Sequence, residues 1–219
     1  MTVIRINASW LAAREKKFLI ATAGRLPAWV TPDHLTMLGM LGALLSGVCY
    51  VASHRSPWFL LGAIAGLVIN WVGDSLDGTL ARTRGIERPV YGYFVDHSTD
   101  LISQVFIFIG LGMSPYLRFD GGCLILLSYW LAALLSFIRA VATQVFQISY
   151  YGIGPTEIRI ALGLYTAVVL VGGPLVLPWI GVTPIDAFSF VLFPFVLVTF
   201  AIMVWRESRV LAALEEHGP

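Results

Sequence analysis

The stretch GDSLDGTLARTRGIERPVYGYFVDHSTD, residues 73–100, sets Asp74, Asp77, Asp96 and Asp100 between apolar runs of a 219-residue chain that is 58% hydrophobic and 12% charged. An unpaired carboxylate in hydrocarbon is expensive, so acids at helical spacing inside such runs mark a functional site. Asp74 and Asp77 lie one turn apart, as do Asp96 and Asp100, so each pair shares a helix face. Two antiparallel helices joined by a tight Arg84-Gly85 turn would bring these faces together. Four carboxylates so close repel one another, and a divalent cation is the simplest remedy. An all-oxygen ligand set suits Mg²⁺, Mn²⁺ or Ca²⁺ better than zinc. Two ions sharing the site would clamp the attacking and leaving oxygens of a phosphoryl transfer. The bland alternative is a structural network with Arg82, Arg84 and Arg88. Against it stand the regular spacing and the gaps at Gly78 and Ala81, which let a bulky phosphate or ribose approach the backbone.

Outward from this stretch the sequence predicts six apolar spans, at roughly 35–53, 58–82, 90–113, 121–146, 157–177 and 186–205, each near the ~20 residues a bilayer requires. The breaks carry turn chemistry: His54-Arg55-Ser56-Pro57, Arg84-Gly85, Ser114-Pro115, Gly152-Ile153-Gly154-Pro155 and Pro178 to Pro184. Before them, residues 2–23 set Ile4, Leu11 and Phe18 among Arg5, Arg14, Lys16 and Lys17. This pattern fits an amphipathic helix at the membrane interface, or one packed on the protein itself. Pro27 and Pro32 end that helix, and Thr31 or Asp33 can cap the next. Gly39, Gly42 and Gly47 permit close helix packing in the first span. The expected fold is therefore an all-α integral membrane protein. Residues 1–30 are an interfacial helix and linker, 31–206 a six-span domain and 207–219 a polar tail leaving the membrane as a short helix.

Of the 14 Lys and Arg, all but Arg55 and Arg118 fall on one side of this topology. The positive-inside rule then places both termini and the acidic cluster in the cytoplasm, in a multi-pass protein of the cell (inner) membrane. Cys49 and Cys123 lie in apolar segments without a partner motif, so neither a disulfide nor zinc is expected. No removable signal peptide is expected, and nothing points to nucleic acid.

The segment resembles the signature of the CDP-alcohol phosphotransferases, D-x2-D-G-x2-A-R-x8-G-x3-D-x3-D, with Asp74, Asp77, Gly78, Ala81, Arg82, Gly92, Asp96 and Asp100 at its fixed positions. Nine residues, Thr83 to Tyr91, separate Arg82 from Gly92 where the usual form has eight; the extra one falls in the turn. The resemblance implies a homodimeric six-helix membrane domain that cleaves the pyrophosphate of a CDP-linked substrate. It passes the substituted phosphate to an alcohol and releases CMP. It also implies that Asp74, Asp77 and Asp96 ligate one or two Mg²⁺ or Mn²⁺ ions. Asp100 is then a further ligand or the base on the acceptor hydroxyl, and Gly78, Ala81, Arg82 and Gly92 line the CDP site.

Acceptor choice falls on residues outside the signature. VDHSTD resembles the FDHGCD variant in choline and ethanolamine phosphotransferases, where the histidine is a candidate base. His97 borders the same cleft, and imidazole titrates near neutrality. GPTE, residues 154–157, also looks like a stretch of those enzymes. Glu157 can face a cationic head group, Arg159 an anionic one; helix capping plus a boundary arginine is the plain alternative. Arg139, inside the fourth span, must face a cavity or an acid and is a candidate phosphate contact, with Ser136 a turn away. The lead reading is CDP-diacylglycerol donating to a small alcohol. The alternative is CDP-ethanolamine or CDP-choline donating to diacylglycerol. An ion-coupled transporter is the rival class, for which inverted repeats would be expected.

Overall fold

The computed structural model describes residues 4–6, 10–143, 145–147, 152–174, 176–177 and 181–216. Seven helices carry the architecture among them: α1 Ala12–Ala23, α2 Pro32–Ala52, α3 Phe59–Arg84, α4 Pro89–Gly112, α5 Phe119–Thr143, α6 Pro155–Gly172 and α7 Pro184–Glu216. A parallel ladder of three residues joins β1 (Ile4–Ile6) to β2 (Val145–Gln147). The chain is an all-α membrane protein apart from this ladder. α2, α3, α5, α6 and α7 are each long and apolar enough to cross a bilayer. α4 has 24 residues, ample length, but Asp96, His97, Asp100 and Gln104 dilute its apolar character.

Local chemistry explains the helix ends. Thr31 Oγ1 accepts from the His34 amide at 3.2 Å, and His34 Nδ1 accepts from the Thr31 amide at 3.4 Å, capping α2 ahead of Pro32. Gly85 ends α3 at φ 64°, a left-handed conformation that glycine adopts without steric cost. Arg84 fixes the turn by donating to the carbonyls of Leu26, Pro27 and Val30 at 2.9, 2.8 and 2.5 Å.

Glycines let α2 lie against both α3 and α4. A Cβ on Gly42 would sit 2.5 Å from the Asn70 amide nitrogen and 2.8 Å from the Gly66 carbonyl oxygen. One on Gly110 would meet the Gly47 Cα at 2.5 Å. Such backbone contact replaces the hydrophobic drive that lipid does not supply. The core around Tyr50, Leu60, Leu67, Phe108 and Leu111 is buried, and the Tyr50 hydroxyl meets Thr166 Oγ1 at 2.7 Å, tying α2 to α6. On the outside, Val141 is 80% and Val171 90% exposed, an apolar surface suited to a lipid environment.

Two segments differ from the pattern read in the sequence. The first helix begins at Ala12, because the alternation Ile4-Arg5-Ile6 suits the extended ladder with Val145–Gln147. It also packs on the protein: Leu19 and Ala23 are buried with Val30, Leu35, Leu76 and Leu80, while Phe18 and Ile20 remain exposed. The polar tail from Arg206 is no separate short helix. α7 runs on unbroken to Glu216, since no Gly or Pro interrupts it after Pro194.

Candidate active site

One end of the bundle holds the site. α3 finishes there, while α2, α4 and α6 begin, so three helix N-termini with their partial positive charge approach one region. Asp74 from α3 and Asp96 and Asp100 from α4 each offer a carboxylate oxygen, and these oxygens all lie within 4.8 Å of one another. Three of the four expected acids thus meet across the two antiparallel helices, and three carboxylate oxygens are a donor set that a hard divalent cation could use.

Asp77, almost fully buried, stands apart from this trio. It accepts from Thr36 Oγ1 on α2 at 2.6 Å and from the adjoining Gly78 amide at 2.5 Å. Arg82 turns back along its helix, donating to Thr79 Oγ1 at 3.3 Å, with its guanidinium 3.2 Å from where a Gly78 Cβ would be. Ala81 is half-buried beside it. Gly92 is exposed, and a Cβ there would meet no atom within 4 Å, so its backbone is open to a ligand.

The positive charge on the trio comes from α6. Arg159 Nη2 lies 2.8 Å from Asp74 Oδ2 and 3.8 Å from Asp100 Oδ1. Its Nε donates to Asn70 Oδ1 at 2.8 Å, and Asn70 Nδ2 donates to the Gly39 carbonyl at 3.0 Å. The arginines of the turn face elsewhere: Arg84 binds backbone carbonyls, and Arg88 pairs with Asp33 and stacks on Tyr91.

The residues considered for acceptor choice divide. His97 packs edge-on against Tyr93, 4.3 Å between centroids, and against Phe137 of α5 at 5.2 Å, with Nδ1 3.7 Å from Asp96 Oδ2. Glu157 accepts from the Gly154 amide at 2.9 Å and the Leu11 amide at 3.1 Å, closing the start of α6 and holding the chain before α1. Arg139 pairs with Glu207 of α7 at 3.0 Å, the acid its place in a span calls for. Ser136 donates to its own helix, at the Ala132 carbonyl.

Asn70, Thr36 and Gln104 escaped the sequence reading. Extending the acid stripes by one turn finds two of them, since Asn70 is four residues before Asp74 and Gln104 four after Asp100. Gln104 is buried, its Oε1 has no hydrogen-bond partner among the described residues, and it shares a small cavity with Asp100, Tyr129 and Arg159. A second, apolar groove runs between α3 and α6. Ile64, Leu67, Val68 and Ile160 line it, with Trp71, Thr156 and Arg159 bordering it too.

Fold and site together define a membrane-embedded helical protein with a carboxylate cluster that could hold a divalent cation. The profile of the CDP-alcohol phosphatidyltransferase family matches residues 29–205, and the chain belongs to that family. Among its relatives, cholinephosphotransferase 1 of Gallus gallus is 35% identical over 104 residues, 42% of this chain and 30% of that protein. Phosphatidylinositol phosphate synthase of Cutibacterium acnes is 29% identical over 147 residues, 64% of this chain and 66% of its own. Archaetidylinositol phosphate synthase of Pyrococcus horikoshii is 32% identical over 91 residues, 42% and 45% of the two chains. The chain spans less than a third of the chicken protein. These matches leave the transporter reading without support.

Proposed function

We propose that the protein transfers a substituted phosphate from a CDP-alcohol to a second alcohol, releasing CMP, as a step in phospholipid synthesis. The observation that carries this is the convergence of Asp74, Asp96 and Asp100 from two helices, inside the matched family region. Asp74, Asp96 and Asp100, with Asp77 if it leaves Thr36, would hold one or two Mg²⁺ or Mn²⁺ ions, which would supply charge neutralisation at the phosphates and ease loss of the acceptor's proton. Asp100 takes the proton of the acceptor hydroxyl as its oxygen attacks the phosphorus that carries the transferred group. The bond from that phosphorus to the CMP oxygen breaks, and CMP leaves with the electron pair. His97 beside Asp96 is the second candidate for that proton. Arg82 meets the CDP phosphates, and Gly78, Ala81 and Gly92 let the nucleotide lie on the backbone.

CDP-diacylglycerol is the lead donor and a small alcohol the acceptor. The apolar α3–α6 groove, ending at Arg159 beside the carboxylates, suits a lipid chain whose head must reach the trio. Arg159 and Arg139 suit an anionic acceptor or the donor phosphates. Both Glu157 oxygens accept from backbone amides, which weakens its reading as a seat for a cationic head group. The reverse pairing, a soluble CDP-aminoalcohol donating to diacylglycerol, draws on the similarity to the chicken cholinephosphotransferase 1. The site faces the cytoplasm, with α4 as the sixth span and both termini inside. Arg55 and Arg118 sit in the turns at the opposite end of the bundle, in agreement with the charge rule. The enzyme acts as a homodimer.

The test is CMP release by purified protein in lipid with Mg²⁺ or Mn²⁺, offering CDP-diacylglycerol or CDP-ethanolamine with a panel of alcohols including diacylglycerol. Release with CDP-diacylglycerol and one soluble alcohol is expected. Release only with CDP-ethanolamine and diacylglycerol would select the reverse pairing, and none with any pair would overturn the reaction.

A further inference from the structure

The inward stripe of α1 and the residue before it reads Leu11, Glu15, Leu19 and Ala23, four residues apart. Leu19 and Ala23 are buried among apolar neighbours, and the same stripe predicts an apolar residue at 15. Glu15 stands there instead, while Arg14, Lys16 and Lys17 point outward. Its Oε1 accepts from Trp71 Nε1 at 2.8 Å, from Thr156 Oγ1 at 2.8 Å and from Ser75 Oγ at 3.3 Å. Trp71 is one turn from Asp74 on α3, and Thr156 is one turn from Arg159 on α6. Asp74 and Arg159 are themselves the two ends of the ion pair that joins those helices. One oxygen of α1 therefore spans the α3–α6 gap beside the ion pair, and two of its three donors border the apolar groove.

A second attachment keeps α1 in this place. The Leu11 amide donates to Glu157, and the Trp10 amide donates to the Gly152 carbonyl at 3.3 Å. With the basic residues of α1 turned outward, the helix forms a collar at the groove's polar end.

We infer that Glu15 is a positioning residue for the lipid-bearing substrate. It holds α1 across the mouth of the α3–α6 groove and fixes Trp71 and Thr156 as its walls. This rests on the groove being the seat of the lipid chain. Without the carboxylate, Trp71 and Thr156 lose their common acceptor, the indole turns within the groove, and the helices separate where the chain must pass. A water-soluble substrate reaching the carboxylates from the cytoplasm does not meet that wall.

The experiment uses the full chain in lipid nanodiscs, varying the lipid substrate and the soluble substrate separately. Glu15→Ala should raise KM for the lipid about tenfold, the equivalent of one lost hydrogen-bond set. KM for the soluble substrate and kcat should stay within about twofold. Glu15→Gln, which keeps Oε1 as acceptor, should restore the lipid KM to within about threefold of wild type. Trp71→Phe, which removes one donor and keeps the apolar ring, should fall between them, and it decides the matter if Glu15→Ala does not fold. Equal rises in both KM values, a fall in kcat at unchanged lipid KM, or an unaltered lipid KM in an active enzyme would overturn the inference. Wild-type protein that releases no CMP with any substrate pair would instead overturn the transferase reading on which it stands.

Discussion

Removing Arg159 tests how the carboxylate cluster is held together. At an effective dielectric of about 20, two unit charges 4.8 Å apart repel by about 3.5 kcal/mol. Three ionised carboxylates in mutual reach would therefore pull α3 and α4 apart unless a cation stands among them. Arg159, 2.8 Å from Asp74 and anchored by Asn70, supplies that charge from α6. Its side chain is 15% exposed and that of Asp74 21%, so solvent screens the pair only weakly. Breaking a buried pair by removing one partner costs about 3–5 kcal/mol. In a domain of this size each kcal/mol shifts the melting temperature by roughly 2–4 °C. Arg159→Gln in metal-free buffer should therefore melt at least about 6 °C below wild type, followed by tryptophan fluorescence in detergent. A divalent ion bound at the carboxylates would supply the missing charge, so Mn²⁺ should raise the melting temperature of Arg159→Gln more than that of wild type. A variant as stable as wild type, or one that Mn²⁺ stabilises no further, would refute the reasoning.

Other expectations follow from single contacts. Thr36→Val removes the hydroxyl that Asp77 accepts at 2.6 Å, and an unmet buried acceptor should lower stability by about 1–3 kcal/mol in thermal denaturation. Gly66→Ala places a methyl 2.6 Å from the Gly42 carbonyl oxygen and the Ser46 amide nitrogen. It should destabilise the α2–α3 pair by about 1–3 kcal/mol, while Gly163→Ala, with no atom in reach, should stay within about 0.5 kcal/mol. If His97 takes the acceptor proton, His97→Ala should lower kcat at neutral pH by about 10²-fold or more. An unchanged pH profile assigns the proton to Asp100.

Most of the bundle was legible because its signals are local. Each apolar run became a helix, and the starts moved by two or three residues at most where Pro32, Pro89 and Pro155 set them, while the last helix ran eleven residues past its expected end at 205, to Glu216. Helical spacing likewise puts Asp96 and Asp100 on one face, and both reach Asp74; Asp77, three residues from Asp74, turns instead to Thr36 of α2, a contact that spacing along one helix does not reveal. What escaped depends on contacts between distant segments. The ladder of Ile4–Ile6 with Val145–Gln147 pairs residues far apart in sequence, so a three-residue strand was absorbed into the helical pattern that follows. The arginines that the sequence offers as an alternative counter-charge, Arg82, Arg84 and Arg88, are neighbours along the chain, whereas the one that pairs with Asp74 is Arg159 of α6. Asn70 was overlooked because a lone amide in an apolar span carries no periodic signal of its own. Glu15 was hidden among Arg14, Lys16 and Lys17, where an acid on a basic helix reads as solvated charge until its three donors are seen.

The central claim is that α3 and α4 jointly hold a divalent cation that drives CMP release. The direct measurement is CMP release against Mn²⁺ concentration for wild type, Asp96→Asn and Asp100→Asn, purified in lipid and matched for folding by circular dichroism. Saturable, metal-dependent release by wild type, with a loss of about 10³-fold or more in both variants, is the predicted result. Release that persists without metal, or in either variant at a rate close to wild type, would contradict the account.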